Sequence, residues 1–133
     1  MQNTITTFDV RLHHIRLKII VQNLEGVDVV LDSILDSGAS RSEFSNQALV
    51  LLGFKNKSAN YASNLINQQT FKTGKCVLPR LKVCGRLFDN IEVFCSDFEA
   101  SWKIDALIGL DFFRKFKTTI DYSKGEIITE DYS

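Results

Sequence analysis

The sequence is short of chain breakers. Its 133 residues hold one proline, one tryptophan and one methionine, and its seven glycines are scattered. That leaves no Pro- or Gly-rich linker and no low-complexity tract, so residues 1–133 are expected to form one domain. An excess of one charge is also missing, since 16 Lys and Arg balance 16 Asp and Glu. No global field would draw in nucleic acid or an anionic membrane, and neither is expected as a partner. No run approaches the ~20 apolar residues of a membrane span. Residues 1–14 lack the basic start and apolar segment of a secretory leader, so the expected location is the cytoplasm. Cys76, Cys84 and Cys95 are odd in number and form no Cys-x-x-Cys, which reads as reduced thiols rather than a disulfide framework. His13-His14 has no Cys, Asp or Glu at ligand spacing and reads as surface histidines on a strand, so no metal is expected.

What is present fits a globular fold. Apolar residues make up 44% and charged residues 24% of the chain, enough to build a core without metals or disulfides. Ile15, Leu17, Ile19 and Val21 alternate with His14, Arg16, Lys18, Ile20 and Gln22, the period of a half-buried strand. Asn23 to Gly26 reads as a hairpin turn and Val27–Leu35 as the returning strand. Residues 45–54 predict a short helix, with Ser45 as cap and Gly53 closing it. Strand-like runs follow at 69–72, 75–83 and 87–94, with turns at Thr73-Gly74, Cys84-Gly85 and Ser96-Asp97. Thr118–Asp121 and Glu126–Thr129 form a hairpin candidate around residues 122–125. Many short strands with one or two short helices predict an all-β barrel or sandwich.

The stretch ILDSGAS, residues 34–40, carries the chemical signal. An aspartate there sits at the end of an apolar strand, where an unpaired charge is costly and donors are needed. Gly38, Ala39 and Ser40 add no bulk, so backbone N–H groups can approach Asp36, and so can a substrate. A second glycine motif, Ala106-Leu107-Ile108-Gly109, can cross closely beside another backbone.

In combination, DSGAS (36–40), LLGF (51–54), LIGLDFF (107–113) and TIDYSKGEI (119–127) resemble the retropepsin-like aspartic proteases, the single-domain, retroviral-type class. The resemblance covers about residues 14–129. It implies a closed acid-protease barrel, all-β and homodimeric, acting as an aspartic endopeptidase on peptide or protein substrates without a cofactor. Only one Asp-Ser-Gly occurs in the chain, so the family's two carboxylates imply Asp36 and its symmetry mate, brought together across a two-fold axis. The resemblance gives Ser37, Gly38, Ala39 and Ser40 to the active-site loop and to substrate backbone contacts. It makes Ile108 and Gly109 the structural glycine motif, and puts a closing flap at Tyr61, Ala62, Ser63, Asn64 and Leu65. Asp111 is expected to cap a helix or pair with a base. Ala39 removes a hydroxyl donor that pepsin-like members carry, which implies activity nearer mildly acidic or neutral pH. The rival reading is a catalytically inactive protease-like domain that dimerises or binds peptides.

Overall fold

Alternating burial along Arg16–Gln22 (β2) sends Leu17, Ile19 and Val21 inward and leaves Arg16 and Lys18 in solvent. In the computed structural model, which describes residues 3–55 and 74–133, this strand pairs antiparallel with Asp28–Leu35 (β3), from Arg16↔Ile34 to Gln22↔Asp28. The turn between them forms because Asn23 Oδ1 accepts from the backbone N–H groups of Glu25 and Val27, at 3.0 and 2.9 Å. Gly26 supplies the positive φ of +86° that the closing residue needs.

A short strand, Glu43–Ser45 (β4), then leads into the helix Asn46–Leu51 (α1). Ser45 caps it, its side chain accepting from Ala48 N at 3.0 Å. The helix is shorter than the 45–54 expected because Gly53, at φ +90°, ends it. Gly53 N bonds Val50 O at 3.1 Å and Phe54 N bonds Leu49 O at 2.9 Å, the paired pattern of a Schellman stop.

Gly74–Val83 (β5) and Arg86–Ser96 (β6) form a long hairpin over the strand-like runs expected at 75–83 and 87–94, turning at Cys84 and Gly85 with φ of +50° and +74°. Its ladder is interrupted where Pro79, without an N–H, faces Asn90 at φ +52°. Ala106–Ile108 (β7) lies parallel to β3 and antiparallel to β4, and Leu110–Phe113 (α2) follows. The barrel closes in the order β2-β3-β7-β4-β6-β5, with β5 returning to β2 through Val21↔Leu81. Phe44, Leu78, Leu81, Val93 and Phe112 fill its interior. The expectation of a closed, mostly β barrel with one or two short helices holds among the described residues, which contain two.

Outside the barrel lies a three-stranded sheet, ordered Asn3–Thr7 (β1), Glu126–Glu130 (β9), Lys117–Asp121 (β8). The last two are the expected hairpin. Strand β1 was not anticipated, although Thr4 to Thr7 is β-branched throughout. Its partner lies at the far end of the chain, Asn3↔Glu130 to Thr7↔Glu126, so local pattern carries no trace of the pairing.

Arg86 joins sheet to barrel. Its guanidinium donates to Thr129 Oγ1 at 3.0 Å, Thr129 O at 3.1 Å and Asp131 Oδ1 at 2.7 Å, and lies 4.5 Å above the centre of the Phe116 ring. Arg86 and Thr129 are both buried, so truncating the arginine strands polar groups without water to replace it. Arg86→Ala is therefore expected to destabilise the fold by about 2–4 kcal/mol, measured by urea unfolding. An unchanged midpoint would show that the clamp contributes nothing.

Candidate active site

Strand β3 ends at Leu35, and the next residue continues its parallel pairing, Asp36 N donating to Ile108 O at 2.8 Å. The backbone then folds back on itself. Ala39 N reaches Asp36 O at 3.2 Å, and Gly38 N donates to Asp36 Oδ1 at 3.0 Å. The half-buried carboxylate is thus held by its own loop, by a backbone donor that small neighbours allow to come close. Ser37 and Ser40 are exposed at the surface of the loop, and Ala39 is half-buried.

Beneath this loop runs the second motif. Leu110 N donates to Ala39 O at 2.8 Å. At Gly109 a Cβ would stand 2.7 Å from Ala39 O and 3.0 Å from Arg41 O, so only glycine allows the crossing. Ser42, 2% exposed, completes the joint. Its Oγ accepts from Gly109 N at 3.0 Å and donates to Asp111 Oδ1 at 2.7 Å, while its N–H donates to Asp111 Oδ2 at 2.8 Å. Among the described residues Asp111 neither caps a helix nor pairs with a base: it clasps the loop that carries Asp36. Neither Ser42 nor this role was read from the sequence, where a serine six residues after Asp36 gives no sign of a partner near 110.

Asp36 lines a cleft of about 510 Å³. Ile34, Leu35, Ile104 and Leu107 give it apolar walls, and Trp102 closes one side. His14 and Arg16 line it as well. The two histidines are exposed, as expected, but precede β2 in a bend instead of lying on the strand. Trp102 had no signal in the sequence, because residues 100–103 follow no strand or helix period, and Arg16 read only as an outward position on its strand.

The three thiols are free. Burial pushes those of Cys76 and Cys84 up from the ordinary thiol range, which disfavours the thiolate a nucleophile requires. Among the described residues no three His, Cys, Asp or Glu side chains gather as metal ligands would, and no helix is long and apolar enough to cross a membrane.

No protein-family model and no curated protein matches the chain. Solved structures do. A retropepsin-like aspartic protease from Rickettsia conorii superposes with a TM-score of 0.66 at 22% identity, covering 98% of this chain and 90% of that one. The retroviral protease-like domain of Ddi1 from Leishmania major gives 0.54 at 14% identity, covering 83% and 82%. The chain has the retropepsin-like fold.

Within that fold, Asp36 to Ser40 form one loop at the cleft, with Ile108 and Gly109 directly under it. The flap candidates Tyr61, Ala62, Ser63, Asn64 and Leu65 lie outside the described residues, as does the strand expected at 69–72. Gly109→Ala should displace the Asp36 loop by overpacking, lowering stability by roughly 1–3 kcal/mol. Ser42→Ala, which leaves Gly109 N and Asp111 without their hydroxyl partner, should cost about 1–3 kcal/mol. Thermal unfolding of both variants measures this, and wild-type stability in either would show that the joint does not hold the loop.

Proposed function

We propose that the protein is an aspartic endopeptidase acting as a homodimer, with Asp36 of each chain forming the catalytic pair. The observation that carries this reading is the placement of Asp36. It is a carboxylate fixed at a strand end by Ile108 O through its backbone and by Gly38 N at its side chain, and it lines an open apolar cleft. One chain offers one such loop, so a two-fold axis is required to supply the second. Ser37, exposed beside Asp36, is the residue to meet its own copy across that axis. Gly38, Ala39 and Ser40 offer the backbone along which a substrate peptide lies.

Two carboxylates so close share one proton, a general property of aspartic proteases. The ionised member takes a proton from water, whose oxygen attacks the peptide carbonyl. The protonated member gives its proton to the carbonyl oxygen, forming a neutral tetrahedral diol. Collapse returns a proton to the departing amine and leaves an acid and an amine as products. Neither metal nor organic cofactor takes part in these steps. The family resemblance gives residues 61–65, which lie outside the described residues, to the flap that would close over the peptide.

Incubating the wild type and Asp36→Asn with a diverse peptide library tests the reading. The substitution should reduce cleavage by roughly 10²–10⁴-fold while the dimer persists in sedimentation. Peptide binding by both proteins without cleavage by either would instead support a non-catalytic peptide-binding module. Specific activity of the wild type should fall on dilution through the dimer dissociation constant. With Ala39 in place of a hydroxyl donor, the optimum should lie in the mildly acidic to neutral range, and a maximum near about pH 2 would contradict that.

A further inference from the structure

We propose that Trp102 determines which side chain the cleft beside Asp36 accepts, and that Arg16 is the positioning residue that holds Trp102 in place. This rests on the endopeptidase reading, because it concerns the substrate of that site. The occupant is a bulky apolar residue, aromatic or large aliphatic, next to the bond to be cut.

The two sides of the cleft differ in rigidity. Ile34, Leu35 and Leu107 belong to β3 and β7, locked together by the parallel register Ile34↔Leu107 and Leu35↔Ile108. The facing wall is a single 3₁₀ turn, Ala100–Trp102, that belongs to no ladder. It is closed by Trp102 N to Glu99 O at 3.0 Å and Lys103 N to Ala100 O at 3.2 Å. Lys103 leaves it at φ +54°, a left-handed conformation uncommon for a lysine. One turn of this kind has little stability of its own.

Two contacts supply what the turn lacks. Phe98, buried, backs Trp102 with ring centres 5.4 Å apart. From β2, the Arg16 fork donates one N–H to Lys103 O at 3.3 Å and another to Trp102 O at 3.5 Å. A planar guanidinium reaches two successive carbonyls from separate nitrogens in a fixed fork, a geometry that a single flexible ammonium reproduces poorly. Trp102 itself remains 45% exposed and lines the cleft. A large indole half open to solvent beside a reactive carboxylate offers its surface to an incoming apolar side chain, and aromatic pairs favour such packing. A small residue, or an acidic one facing the negative face of the ring, gains little from it.

The chain has a single tryptophan, so its fluorescence reports on this wall alone. The full-length Asp36→Asn protein is titrated with peptides that differ at one position: Phe, Leu, Ala or Asp. The Phe and Leu peptides should shift Trp102 emission to the blue and shield it from acrylamide, saturably, while the Ala and Asp peptides should not. Adding Arg16→Ala should raise acrylamide quenching of the free protein and shrink the shift, and Arg16→Lys should restore only part of it. In the active protein, Trp102→Ala should lower kcat/KM for the Phe peptide relative to the Ala peptide roughly 10-fold or more. Trp102→Phe should retain the preference. Arg16→Ala should raise KM with kcat nearly unchanged, as expected for loss of a binding wall. Unchanged discrimination in Trp102→Ala, or no Trp102 response to any peptide, would overturn the proposal. Selective fluorescence response without cleavage by the wild type would leave the proposal standing and defeat the endopeptidase reading instead.

Discussion

The close crossing at Gly109 is the constraint on which the rest of the site depends. Two chain segments far apart in sequence, 36–42 and 106–111, lie backbone against backbone because no side chain intervenes. The ladder bond Asp36 N to Ile108 O, the bond Leu110 N to Ala39 O and the Ser42 bridge all exist only at that spacing. Each is an ordinary hydrogen bond of modest net worth. Together they hold the 36–42 loop to a barrel strand at both ends. A carboxylate placed for chemistry needs this kind of rigid support, because small displacements at a reacting centre are expensive.

The barrel makes that support available. Strand alternation divides β7 cleanly: Ala106 and Ile108 are fully buried in the core, while Leu107 between them faces the cleft. On β3 the same alternation buries Ser33, whose hydroxyl donates to Leu17 O at 2.9 Å, and turns Ile34 to the cleft. The residues that shape the site and those that stabilise the fold are therefore neighbours on the same strands. Packing changes in the core reach the cleft without an intermediate element. Arg86 extends the continuity, tying the barrel hairpin to the three-stranded sheet through Thr129 and Asp131.

Features governed by short-range chemistry were legible in the sequence. The β2–β3 hairpin followed from alternating apolar residues and an Asn-to-Gly turn, and the end of α1 from a glycine that only a left-handed stop requires. The motif pair DSGAS and LIGL was legible through its combined resemblance to a known family, since Asp-Ser-Gly by itself suits many ordinary turns. What escaped depends on partners distant in sequence. Strand β1 finds β9 across the whole chain, and Ser42 finds Gly109 and Asp111. Trp102 lines the cleft with its carbonyl bonded by Arg16, which comes from β2, 86 residues away. The predicted job of Asp111 failed for the same reason, since its partner was a buried serine hydroxyl and not a charge.

The central claim is that catalysis needs two copies of Asp36. It is tested most directly by mixing wild-type and Asp36→Asn chains at fixed total concentration, allowing them to exchange, and measuring peptide cleavage. If each active site takes one aspartate from each chain, mixed dimers are inactive and activity falls as the square of the wild-type fraction. Activity that falls in simple proportion to the wild-type fraction would contradict a shared site.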